Sequence, residues 1–200
     1  MSSLFNARQN DALVETINIS FGLAASLIGD MLESYVHLRV PSIHTIPIYK
    51  LHETILLQMG ETTSFYATKQ RFFGSFGGEV IFAFSEESGE EFTALLLRES
   101  TNSNEEVQAA LLELTNILTA SCIGQLSQML EGESLFAVPD IQKISCTGSS
   151  TFHEALEYDN AIVITTALDV AEKNIQGHMF ILLSNSMLEK LTQMLKKMFL

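Results

Sequence analysis

Basic residues are scarce in this chain: 11 lysines and arginines stand against 24 aspartates and glutamates, a formal charge of −13 over 200 residues. Affinity for nucleic acid comes largely from neutralising phosphates, which excludes nucleic acid and an anionic membrane as expected partners. An acidic surface does suit a protein partner whose docking face carries Lys or Arg. Cysteine is equally sparse. Cys122 and Cys146 make no disulfide framework, and there is no CxxC pair. Cys122 falls on the apolar side of its helix, as an inert core thiol would. The opening residues, MSSLFNARQND, lack the apolar centre of a secretory signal. The longest near-apolar stretch, around Phe21–Ile28, is far short of the roughly 20 residues that span a bilayer. A cytoplasmic, reduced setting is therefore expected. Metal-ligand spacing is missing too, since His37, His44, His52, His153 and His178 form no HxxxH or similar pattern. The glycine-rich run Gly74-Ser75-Phe76-Gly77-Gly78 lacks the lysine and following helix of a phosphate loop and reads as a hairpin turn.

What remains is an ordinary globular composition, 46% hydrophobic and 18% charged, enough for one domain with a sizeable core. The chain also resembles itself. Asp11–Ile43 lies over Ala109–Ile141 without a gap at an offset of 98 residues, with eleven of thirty-three positions identical. Shared residues include Glu15/Glu113, Asn18/Asn116, Met31-Leu32-Glu33/Met129-Leu130-Glu131 and Val40-Pro41/Val138-Pro139. Further on, Gly78–Phe82 falls on Gly177–Ile181, and Ser85, Glu90, Thr93 and Leu96 fall on Ser184, Glu189, Thr192 and Leu195. This is read as a tandem duplication in one domain over 1–200, with repeats at about 8–100 and 106–200.

Each repeat reads helix, short strand, short helix, two longer strands, helix. In the first, Val14, Ile17, Phe21, Ala24, Ile28 and Met31 recur at helical spacing, which predicts a helix over about Asp11–Glu33. A short strand at Val36–Val40 is stopped by Pro41. A helix at about Ile48–Met59, strands at Thr62–Phe73 and Glu79–Phe84, and a helix at Gly89–Leu97 follow. The second repeat gives a helix at Asn104–Leu130, a strand at Leu135–Val138 and a short helix near Ser150–Leu156. Strands at Ala161–Val170 and Gly177–Leu183 turn through Glu172-Lys173-Asn174, and Ser184 caps a last helix to about Met198. Neither repeat has the strands to close a core alone. The predicted fold is α+β: one pseudo-two-fold sheet of about six strands with the two long helices on one face.

On the first long helix Asp11, Glu15, Asn18 and Gly22 form one stripe, roughly opposite the apolar one. Ala109, Glu113, Asn116 and Ala120 match it in the second. A solvent-facing stripe tolerates any polar residue, yet Glu and Asn persist between copies while neighbours such as Thr16/Leu114, Ile17/Thr115 and Ser20/Leu118 have changed. Asn is a poor helix former, so two at matching positions call for a reason. The small residues at 22 and 120 keep the surface flat enough for another backbone to approach.

Glu-x-x-Asn on a helix, then twenty-two residues and Pro, resembles the signature of the CheC/CheX/FliY phosphatases. It occurs as Glu15-x-x-Asn18-(x22)-Pro41 and as Glu113-x-x-Asn116-(x22)-Pro139. The family's Asp or Ser four residues before the Glu is Asp11 in the first copy, but Ala109 in the second. The glycine that commonly precedes the Asn is Ile17 and Thr115 here. The resemblance implies hydrolysis of the aspartyl-phosphate of a CheY-type response regulator in chemotaxis or related two-component signalling. Asn18 and Asn116 would hold the attacking water, and Glu15 and Glu113 would pair with a lysine of the regulator. Asp11, Gly22 and Ala120 would lie against the partner. No intrinsic cofactor is implied, since the regulator brings its own Mg²⁺, and a CheD-like protein is admitted as a second partner. The alternative is a non-catalytic binding module of the flagellar-switch type.

Overall fold

The computed structural model describes residues 6–60, 62–99, 103–129, 131–145, 158–170 and 173–197. Helix α1 (Ala7–Leu32) begins a turn earlier than the apolar spacing indicates, because Asn6 and Gln9 close a reciprocal capping box. It buries Leu13, Ile17, Phe21, Ala24 and Ile28, the face the periodicity marks. Strand β1 (Val36–Pro47) does not stop at Pro41. It runs past the proline through a register irregularity between Arg39 and Ser42, and among the described residues it pairs with one neighbour. An edge strand with a bulge is where a residue without an N–H is tolerated.

A 3₁₀ turn (Ile48–Lys50) leads into α2 (Leu51–Met59), then β2 (Ser64–Gly74), β3 (Gly78–Ser85) and α3 (Glu86–Leu97). The second long helix, α4, is Asn104–Met129. The short strand expected at Leu135–Val138 is β4 (Ser134–Phe136), and a further strand, β5 (Asp140–Ser145), follows beyond Pro139. Both pair with β2: β4 opposite Phe72–Gly74, β5 opposite Ser64–Lys69. The break at 137–139 thus turns one expected strand into two, giving seven strands among the described residues in place of about six. Last come β6 (Asn160–Val170), β7 (Lys173–Leu183) and α5 (Asn185–Lys197), where the Ser184 hydroxyl accepts from the Met187 N–H at 3.4 Å. Lys173 and Asn174, expected in the turn, are paired strand residues opposite Val170 and Asp169. The short helix expected near 150–156, Cys146, Glu172 and Met198 lie outside the described residues.

The strands join in the order β1-β6-β7-β3-β2-β4, with β5 beside β2, and every pairing is antiparallel. β1 therefore pairs with β6 of the later chain, while β4 and β5 reach back to β2. On one face lies the main core, where Phe21 and Ile28 of α1 and Leu111, Leu118 and Cys122 of α4 meet Phe72, Phe82, Phe84, Ile162 and Met179 of the sheet. Burial pushes the Cys122 thiol well above its usual range. The other face carries α2, whose Leu51 and Ile55 cover Phe65, Ile81, Val163 and Phe180. The glycines that start matching strand segments, Gly78 and Gly177, sit where a side chain has no room. A Cβ on Gly78 would collide with the Leu182 carbonyl, and one on Gly177 with the Phe84 ring.

By length and composition alone α1 and α4 could cross a membrane. That differs from the reading of a short apolar run, because small polar residues interrupt the apolar ones without making the helix polar. About half of each apolar window is nevertheless buried inside this fold.

His178 on β7 is buried, and its Nδ1 has no hydrogen-bond partner. Loss of solvent lowers its pKa to about 4 from an ordinary 6.5. An unfolded chain takes up this proton near pH 6.5 and the folded one only near 4, so the site's contribution is intact above 6.5 and lost as pH falls between them. Urea midpoints of the wild type should drop more across that window than those of His178→Gln. Parallel curves for the two proteins would contradict this.

Candidate functional site

The stripe residues take their positions from the burial of the opposite helix faces. With Phe21 and Leu13 turned into the core, Asp11, Glu15, Asn18 and Gly22 are exposed along α1. On α4, burial of Leu111, Leu114, Leu118 and Cys122 leaves Ala109, Glu113, Asn116 and Ala120 exposed. Both helices lie on the same face of the sheet and touch one another. A Cβ at Gly22 would meet nothing within 4 Å, so packing within the chain does not demand a glycine there. The same is true of Gly124, one turn beyond Ala120.

The two helices do not present identical surroundings. On α1, Glu15 and Asn18 stand on open helix surface, and among the described residues the amide of Asn18 has no hydrogen-bond partner. Beside them runs a stripe of exposed Ile19, Leu23 and Leu27, each about half accessible, at 50%, 56% and 53%. A groove of about 670 Å³ begins only at Gly22 and is lined further on by Gly29, Asp30, Glu33 and Tyr35. On α4 the motif residues form the groove wall itself. Glu113 and Asn116 face Phe136, Ala137, Val138 and Pro139 across a groove of about 540 Å³. Val138, 91% exposed, stands at its rim.

A residue that sequence reasoning did not single out joins the second site. Gln70 on β2 is buried, and its Nε2 donates to Asn116 Oδ1 at 3.0 Å and to the Ala137 carbonyl at 2.9 Å. The Ala137 N–H in turn donates to the Arg71 carbonyl at 2.9 Å. A neighbouring buried pair, Thr68 Oγ1 and Thr115 Oγ1 at 2.8 Å, ties β2 to the preceding residue of α4. The signal for Gln70 was present: along β2 the residues facing α4 are Tyr66, Thr68, Gln70 and Phe72, and a lone amide there needs partners. Among the described residues no three His, Cys, Asp or Glu side chains come together as metal ligands would.

No known sequence family matches the chain, and no curated protein matches it in sequence. Solved structures do match. FliY from Thermotoga maritima superposes with a TM-score of 0.78 over 97% of this chain and 98% of that one, at 14% identity. A chain of the CheX–CheY–BeF3–Mg²⁺ complex from Borrelia burgdorferi gives 0.52 over 86% and 99%, also at 14%. This chain has the CheC/CheX/FliY fold. A chain of the FliM–SpeE complex from H. pylori shares the fold as well, with a TM-score of 0.64 over 94% and 96% at 15% identity. Within the CheC/CheX/FliY fold, α1 and α4 are the two long helices that carry the Glu-x-x-Asn motifs, and the segments after them carry Pro41 and Pro139.

Proposed function

We propose that this protein hydrolyses the aspartyl-phosphate of a CheY-type response regulator, in the cytoplasm, using Glu15/Asn18 and Glu113/Asn116 as two docking and positioning pairs. The observation that carries the reading is the pair of exposed side-chain amides on the two rigid helices, each with an exposed carboxylate one turn before it. Fold likeness to a chain from a CheX–CheY complex supports a regulator of that type as the partner.

The regulator contributes Mg²⁺ and a lysine beside its phosphoryl group, so most of the charge stabilisation comes with the substrate. What the amide adds is geometry. Its oxygen accepts a hydrogen bond from a water, leaving a lone pair of that water directed at phosphorus, while its N–H groups donate to a phosphoryl oxygen. The water oxygen then bonds to phosphorus as the bond to the aspartyl oxygen breaks, the electron pair leaving on the carboxylate. The water's proton ends on phosphate or solvent. Glu15 or Glu113 pairs with the regulator's lysine and sets the docking register.

The test is the decay of a phosphorylated regulator with and without this protein, and acceleration by catalytic amounts is expected. Protein stripped with a chelator and returned to Mg²⁺ should retain its full rate, and small phosphate esters should be hydrolysed negligibly. Loss of a tightly held zinc or iron together with activity would rule out this mechanism. The likeness to a chain of the FliM–SpeE complex favours one other reading, a binding module without catalysis. Binding of the phosphorylated regulator with no change in its decay would select it.

A further inference from the structure

Resting on that reading, we infer that Gln70 is the positioning residue of the second site: it fixes the Asn116 amide for reaction and sets the far wall of the groove. Gln70 is 1% exposed, and its Nε2 is forked between the oxygen of Asn116 on α4 and the carbonyl of Ala137. Ala137 belongs to the break between β4 and β5, where the ladder to β2 is interrupted. One side chain therefore ties both walls of the groove to β2.

The orientation of the fork is dictated by its partners. Both are oxygen acceptors, so the nitrogen must face them, which leaves Gln70 Oε1 buried with no partner. An orphaned buried acceptor is costly, and an apolar residue could fill a core position without that cost. The feature the cost maintains is the setting of Asn116. With its oxygen turned to Gln70, the amide plane is held and the NH₂ group is directed away from the sheet. One lone pair of the oxygen remains for water. The bond from Gln70 also polarises the amide and strengthens its N–H donors. The freedom Asn116 would otherwise lose on engaging substrate is already gone. Asn18, with no hydrogen-bond partner among the described residues, is left to be ordered by the regulator. The two sites therefore differ in preorganisation, the second being the one prepared in advance.

The test isolates one site at a time. In an Asn18→Ala background, where only the second site works, Gln70→Met should lower kcat for the phosphorylated regulator about tenfold, with KM changed less than about twofold. In an Asn116→Ala background the same change should leave the first site's rate within about twofold, which also shows that the fold has survived. Equal losses in both backgrounds would reduce Gln70 to a structural residue, and no loss in the first would remove its role. A measurement independent of turnover uses side-chain amide signals of ¹⁵N-labelled full-length protein. The Gln70 amide should exchange slowly, and Gln70→Met should move the Asn116 signals while leaving those of Asn18 in place. An unmoved Asn116 amide refutes the contact itself. If wild type does not hydrolyse the regulator at all, the catalytic reading falls and takes the kinetic role of Gln70 with it. The spectra still report separately whether the Gln70–Asn116 contact exists.

Discussion

Replacing Asn18 and Asn116 together by alanine is expected to slow hydrolysis of the regulator's aspartyl-phosphate about 100-fold or more, the order lost when a positioning or polarising group is removed. Either substitution alone should leave roughly the other site's share of the rate, because the motif residues lie on different helices beside separate grooves. The measurement is single-turnover decay of the phosphorylated regulator at fixed protein concentration. A double variant as fast as wild type would take both asparagines out of the mechanism. Stability separates the two positions. Asn18→Ala, on open helix surface, should stay within about 0.5 kcal/mol of wild type. Asn116→Ala takes one acceptor from the buried Gln70 amide and should cost about 1–3 kcal/mol. The motif alone, with both asparagines on an exposed stripe, gave no reason to expect that difference.

The second large effect belongs to the buried side of the same helix. Phe21 is fully buried in the main core, three residues from the exposed Asn18. Phe21→Ala should destabilise the protein by about 3–5 kcal/mol, through lost transfer energy and a cavity that a helix packed against both the sheet and α4 cannot collapse. Urea unfolding followed by far-ultraviolet circular dichroism measures it. A shift below about 1 kcal/mol would mean that α1 is not anchored as described. Asn18→Ala and Phe21→Ala, one turn apart, thus form a matched pair: one removes the first site's share of the activity and spares the fold, the other attacks the fold.

The parts legible in the sequence were those with a local cause. Helical spacing of Val14, Ile17, Phe21, Ala24 and Ile28 by itself places Asn18 on the outer face, and the same argument serves Asn116. The glycines of 74–78 mark the β2–β3 hairpin. Errors arose where a distant partner decides the outcome. Pro41 reads as a strand stop, yet β1 continues because, among the described residues, it is paired along one edge, by β6. Lys173 and Asn174 read as turn residues, yet the long β6–β7 ladder recruits them as strand. Gln70 has no neighbour in sequence that explains it, since Asn116 and Ala137 are 46 and 67 residues away. Its role needs the β2–β4–β5 register, and nothing local encodes that.

The pairing of β1 with β6 has a consequence for how the protein is made. Among the described residues β1 finds its one strand neighbour between 113 and 134 residues downstream. A ribosome adding about 5–20 residues per second takes on the order of 10 s to deliver that partner. Throughout that interval a twelve-residue strand containing Val36, Leu38, Ile43 and Ile46 has emerged with both edges unpaired. The bulge at Arg39–Ser42 and the proline within it are the features that make such an edge a poor template for other chains. Straightening it, for instance by Pro41→Val, would favour aggregation of the nascent chain over any change in the finished fold.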